Sequence, residues 1–308
     1  MKIVVIGGHG LIGSRVVEQL AAQGHDVRAA SRRSGVDVVG GHGLDEALDG
    51  VEVVVDAGNA PIFEDPDVTA YFERAITQLL AGCDRAGVAH YVGLSVVGTP
   101  YLQDSAYFRA KAIQEALIRR APLPATLVRA TQCFEFMAQL VPPVAAREVL
   151  HLSPAKVQPV AADDLGALVA QVASAPPGGH TVQIAGPERH RLFELVEWVM
   201  YFNQDQRPVV ADPEGRYYGA LLKDATLTPV EPKPACWATL SSELSLVSSR
   251  RCARASRCSS SHWLKVVPVA ARIWRVKVRR PRRPRRRCSG RRRCCPKPWR
   301  RSWWHGLR

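Results

Sequence analysis

The chain has 308 residues, 46% of them hydrophobic, enough to bury the core of one large or two ordinary domains, which excludes a wholly disordered protein. Its net charge of +14 is divided unevenly: residues 1 to 230 carry 19 Lys and Arg against 26 Asp and Glu, net −7, whereas residues 231 to 308 carry 23 against 2, net +21. The larger part is acidic, so the overall basic balance does not by itself argue for a nucleic-acid or membrane partner. No apolar run approaches the roughly 18 residues of a membrane span, and Ile3 to Ile6 is too short for the apolar region of a signal peptide. Cys83 and Cys133 alone give the acidic part no disulfide framework, and a cytoplasmic protein is expected.

Short β-branched runs alternate with helical stretches along the acidic part. Lys2 to Ile6 reads as a first strand and Leu11 to Ala22 as a helix; strands follow at Asp26 to Ala30, Val36 to Val39 and Val51 to Asp56. Helices are expected over Val68 to Ala86, Ser105 to Arg120, Phe134 to Ala146, Asp163 to Ser174 and Leu192 to Phe202, with strands at His90 to Ser95, Ala125 to Arg129 and Thr181 to Ile184. The near-continuous apolar strands imply burial on both faces, hence an α/β, Rossmann-type, doubly wound parallel sheet. Elements from about residue 131 onward are expected to form a small C-terminal substrate lobe within a first domain of residues 1 to 230.

The sharpest local signal is Gly7-Gly8-His9-Gly10-Leu11-Ile12-Gly13, set between the first strand and the first helix. Gly7 suits a tight turn, Gly10 lets the backbone approach a pyrophosphate, and Gly13 lets the helix pack closely on the sheet while its N-terminus faces the phosphates. His9 reads as a turn residue. The second strand ends in Ser31-Arg32-Arg33, where NAD enzymes usually carry a carboxylate for the ribose hydroxyl. Two guanidiniums and a hydroxyl suit the 2′-phosphate of NADP instead, unless the arginines are only a solvated pair. Gly7, Gly10, Leu11, Ile12, Gly13, Ser31, Arg32 and Arg33 are therefore candidate NADP(H) ligands.

Ser95 ends the expected fifth strand, and Tyr107 and Lys111 lie four apart on one helix face. An ammonium beside a phenol would lower its pKa and fit it for proton transfer, with Lys111 also donating to the nicotinamide ribose and Ser95 holding a substrate carbonyl. Read alone, Tyr-x-x-x-Lys also fits an amphipathic helix surface. Asp163 and Asp164 precede an apolar helix and read as caps rather than acid-base groups; Cys133 reads as a small apolar filler. The His residues show no metal-ligand spacing, and no metal site is expected.

Taken together, Gly7-x-x-Gly10-x-x-Gly13, Ser31-Arg32, Leu94-Ser95-Val96-Val97-Gly98, Tyr107-x-x-x-Lys111 and Val128-Arg129-Ala130-Thr131 resemble the short-chain dehydrogenase/reductase superfamily and, within it, the NmrA-like NAD(P)H-binding group. Gln158 to Asp164 resembles the group's strand-to-helix entry before the substrate lobe, and the likeness covers residues 1 to about 229. The resemblance implies Ser95, Tyr107 and Lys111 as the catalytic set, with Ala57-Gly58-Asn59 and Thr131-Gln132-Cys133-Phe134 bordering nicotinamide and substrate; Asn59 and Lys111 thereby join the cofactor ligands. It implies an NADPH-dependent reductase of a small carbonyl or quinone-like molecule, or a non-catalytic NADP(H)-sensing regulator of the NmrA type.

Residues 231 to 308 contain no Asp, Asn, Gln, Phe or Tyr but six of the eight Cys and six of the seven Trp. Blocks such as Arg282-Arg283-Pro284-Arg285-Arg286-Arg287 cannot bury enough surface to offset ordering, so a disordered basic tail is expected. The composition also matches GC-rich coding sequence read out of frame, which makes a frameshift near residue 230 an alternative to a native extension. Nucleic-acid binding through this tail is the distant third reading.

Overall fold

The structure is a computed structural model that describes residues 1–61, 63, 66–141 and 149–229. The expected basic tail, and the 142–146 portion of the helix expected over Phe134 to Ala146, lie outside the described residues. In chain order the elements are β1 (Lys2–Ile6), α1 (Leu11–Ala22), β2 (Asp26–Ala30), a 3₁₀ turn (Arg32–Ser34), α2 (Leu44–Leu48), β3 (Val53–Asp56), α3 (Asp67–Arg85), β4 (His90–Val96) and α4 (Ala106–Arg120). They continue as β5 (Ala125–Ala130), α5 (Phe134–Met137) with a 3₁₀ turn (Ala138–Leu140), β6 (Leu150–Leu152), β7 (Lys156–Val157), α6 (Ala162–Ser174), β8 (Thr181–Ile184), β9 (His190–Arg191), α7 (Leu192–Phe202) and β10 (Val209–Ala211).

Six strands form one parallel sheet in the order β2-β1-β3-β4-β5-β8. Strand alternation sorts the core into two layers. Ile3, Val5, Val53, Val55, Val92 and Val128 pack against α1 and α6, and Val4, Ile6, Val54, Tyr91 and Leu127 pack on the α3 and α4 side. This is the doubly wound α/β architecture expected. The chain leaves β1 toward β2 on one side and returns to β3 on the other, so a crevice opens at the carboxyl ends of these strands, the usual ligand position in such sheets. Among the described residues, no helix is long and apolar enough to cross a membrane.

Three sequence expectations change. Val36 to Val39 is no strand: Asp37 accepts from the Val39 amide at 3.0 Å and the chain turns through Gly41 at φ +77°, so a side-chain turn wins over β propensity. The helix after Phe134 closes into a 3₁₀ turn at Leu140, just before Pro142-Pro143, which cannot supply amide donors. Asp163 and Asp164 do not cap α6. Its first amide, Ala162, donates to both carboxylate oxygens of Glu135 at 3.1 Å, and Asp163 instead pairs with Arg15 of α1 at 3.0 Å.

Candidate functional site

The glycine turn sits at the switch of the sheet. Gly7 has φ +71°, and a Cβ there would lie 2.8 Å from the Ala57 carbonyl oxygen; at Gly13 a Cβ would lie 2.2 Å from the Gly7 carbonyl oxygen. The helix start is thus pressed against the turn as only glycine permits. Gly10 occupies the N-cap of α1 without a side-chain cap, so the first-turn amides of α1 and its dipole face the crevice. A pyrophosphate fits such a cradle.

At the end of β2, Ser31 forms a capping box with the 3₁₀ turn: its hydroxyl accepts from the Arg33 amide at 3.2 Å, and its own amide donates to Ser34 Oγ at 2.9 Å. Ser31 Oγ also lies 2.8 Å from Nδ1 of His9, which joins the edge of the sheet to the glycine turn. Arg32 and Arg33 are exposed and, among the described residues, neither guanidinium has a hydrogen-bond or ion-pair partner. Both line the same crevice as the glycine turn.

Ser95, Tyr107 and Lys111 converge on the same crevice from β4 and α4, but each is held by protein groups. Ser95 Oγ donates to Glu115 Oε1 at 2.7 Å. That buried carboxylate is also bound by Arg129 of β5 and, at 2.9 Å, by Arg119, and these partners hold its pKa down against the cost of burial. Lys111 Nζ donates to the Leu94 carbonyl at 2.9 Å and lies 4.9 Å from the centre of the Phe72 ring. Burial pulls the Lys111 ammonium down to about 8, opposed by the charges of Asp56 and Glu115. The Tyr107 phenol is pushed up, chiefly by burial, while the Asn59 side chain favours its ionised form. The phenol therefore stands above its usual range, not below it as an adjacent ammonium alone would set it. Tyr107 packs edge-on against Phe63 and Phe108.

Of the sequence-derived candidates all but Gly13 and Phe134 line one cleft of about 510 Å³: Gly7, Gly10, Leu11 and Ile12 at the glycine turn, Ser31, Arg32 and Arg33 at the end of β2, and Ala57, Gly58, Asn59, Ser95, Tyr107, Lys111, Thr131, Gln132 and Cys133 along the rest. Gly13 acts behind the cleft through packing. Residues that the sequence did not mark stand behind and beside it. Asp56, closing β3, is 3% exposed and accepts from Tyr91 Oη at 2.9 Å, Gln114 Nε2 at 3.2 Å and the Gly58 amide at 3.0 Å; burial raises its pKa, partly opposed by Lys111. A carboxylate ending a run of valines was the available signal for it. Tyr217 and Tyr218 reach the cleft from the segment after β10, and no local pattern in the sequence marks them.

The family model described as NAD(P)H-binding matches residues 7–176. Solved structures of similar fold include the UDP-glucose 4-epimerase of Thermus thermophilus in complex with NAD, at 18% identity and TM-score 0.57, covering 74% of this chain and 92% of that one. A short-chain dehydrogenase/reductase superfamily protein from Agrobacterium tumefaciens with bound NAD matches at 16% identity and TM-score 0.56, over 83% of this chain and 100% of that one. The Citrobacter sp. triphenylmethane reductase complexed with NADP(H) matches at 17% identity and TM-score 0.50, over 69% and 79%. No curated protein matches the chain in sequence. With its glycine cradle at the switch of a six-stranded parallel sheet and a family match over more than half of its length, the chain belongs to the NAD(P)H-binding family and shares the Rossmann fold of these structures.

Proposed function

We propose that the protein is an NADPH-dependent reductase of a small carbonyl or quinone-like substrate, with Tyr107 as proton donor. The observation that carries this reading is the continuity of the cleft, from two exposed guanidiniums through an uncapped helix N-terminus to a phenol in an aromatic chamber. NADPH bound along it would supply a hydride to the substrate carbon and be left as NADP⁺. Arg32 and Arg33 would take the 2′-phosphate, and Lys111, with N–H donors left beside its bond to the Leu94 carbonyl, would hold the ribose hydroxyls. Tyr107, kept protonated by its burial, would pass its proton to the substrate oxygen; the phenolate left behind is disfavoured there, so it regains a proton readily from solvent. Ser95 would bind the substrate oxygen only by releasing Glu115.

That commitment of Ser95 and Lys111 to protein partners favours a second reading, an NADP(H)-responsive regulator of the NmrA type that binds the dinucleotide without turnover. NADPH oxidation by a panel of quinones, aldehydes and ketones separates the two. In a reductase, Tyr107→Phe lowers turnover by about 10²-fold while NADPH affinity holds. Tight NADPH binding with no turnover on any member of the panel supports the regulator.

A further inference from the structure

Two features of the chamber around Tyr107 carry a local cost that the fold alone does not explain. The first is the turn Tyr217-Tyr218-Gly219-Ala220, closed by the Tyr217 amide to the Ala220 carbonyl at 2.8 Å and the reverse bond at 3.1 Å. Tyr218 has φ +47° and Gly219 φ +87°, the pattern of a type I′ turn, whose first central position favours Asn or Gly and is strained for a bulky ring. The strained ring packs 5.8 Å from Tyr107, tilted by 35°, and 5.8 Å from Phe63. It is 37% exposed, at the mouth of the cleft rather than in the core.

The second feature is Gln132, 7% exposed and part of the cleft wall. Both its amide nitrogen and its amide oxygen are buried without a hydrogen bond. Its side chain influences the neighbouring Tyr217 phenol, but the two are not joined by a bond of normal geometry. A sealed amide with neither donor nor acceptor satisfied is costly and invites a partner. The two features adjoin, since Gln132 acts on Tyr217 while the next residue, Tyr218, packs on Tyr107, and all of them line the same cleft.

We infer that Tyr218 holds the seat of a flat aromatic substrate against Tyr107 and Phe63, and that Gln132 hydrogen-bonds the oxygen that such a substrate carries. The substrate class is then an aryl carbonyl or quinone, with a phenol as the mimic of its reduced product, rather than a sugar or an aliphatic ketone. The inference rests on the proposed reductase reading for the location of the substrate, but not on turnover.

The test is calorimetric binding of 1-naphthol to the NADP⁺-loaded protein. Tyr218→Asn keeps a residue favoured in this turn and removes the competing ring, so 1-naphthol should bind several-fold tighter. Gln132→Leu keeps the shape and removes the amide, so binding should weaken by about 3- to 10-fold, the scale of one hydrogen bond, with NADPH affinity unchanged. Weaker or unchanged binding in Tyr218→Asn would overturn the seat, and a Gln132→Leu loss that falls on NADPH would assign the amide to the cofactor and overturn its role. If 1-naphthol behaves as expected while no quinone or aldehyde is reduced, the reductase reading fails and this inference stands.

Discussion

Replacing Arg32 and Arg33 with Ala tests the cofactor preference at its physical source. Both guanidiniums are exposed and without partners among the described residues, so their removal breaks no bond seen there and leaves the capping box of Ser31 and Ser34 intact. A charge-assisted hydrogen bond to a phosphate contributes about 1.5 to 3 kcal/mol, and solvent exposure argues for the lower end. Two such contacts give about 3 kcal/mol, or roughly 150-fold in NADPH affinity, with roughly 10-fold expected for either single variant. NADH lacks the 2′-phosphate and should lose little. Fluorescence titration of wild type and the three variants with both cofactors measures this directly, and the wild-type preference should shrink as salt rises. Equal losses for NADPH and NADH would refute the reasoning and leave the two arginines as a solvated pair.

Three further outcomes follow from the buried groups. Gly13→Ala places a Cβ 2.2 Å from the Gly7 carbonyl oxygen, so the turn must shift; a loss of about 1 to 3 kcal/mol and a clear fall in NADPH affinity should appear in denaturant melts and titrations. Glu115→Ala strands Ser95 and the partly buried Arg129, which should cost about 3 kcal/mol and lower Tm by roughly 6 to 12 °C in a scanning calorimeter; an unchanged Tm would mean the cluster contributes nothing. The Lys111 ammonium titrates near 8 in the fold, below its unfolded value, so the unfolded chain binds more protons between about pH 8 and 10.5 and this group's contribution to stability rises with pH across that window. Buried Tyr91, Tyr107 and Cys83, raised in the fold, pull the other way there, so the reading is a difference: Lys111→Met should exceed wild type in stability at pH 7, and the gap should narrow as pH rises to 10.5.

The sheet and its cofactor end were legible because their determinants are local. Lys2 to Ile6, the glycine turn and Leu11 to Ala22 are specified by adjacent residues, and the structure keeps those boundaries. The strand expected at Val36 to Val39 failed for a local reason as well, since Asp37 and Gly41 make a turn that outweighs three valines. What the sequence concealed is long-range. The spacing of Tyr107 and Lys111 puts both on one helix, yet Leu94, 17 residues away, takes the amine and burial governs the phenol. The pairing of Ser95 with Glu115, the closure of the chamber by Tyr218 and the capping of α6 by Glu135 join segments whose meeting no periodicity announces.

The Glu115 carboxylate has a wider consequence. It is bound at once from β4 through Ser95, from β5 through Arg129 and from its own helix through Arg119. Helix α4, which carries Tyr107 and Lys111, is thereby riveted to two neighbouring strands near the middle of the sheet, whereas Tyr217 and Tyr218 meet it through ring contacts with Phe108 and Tyr107, from a turn closed by its own two backbone bonds. The helix is clasped by charged groups, and the turn leans on it through rings. Lineages of this protein could exchange the residues of the turn, and with them one wall of the cleft, while keeping the three-way clasp on Glu115.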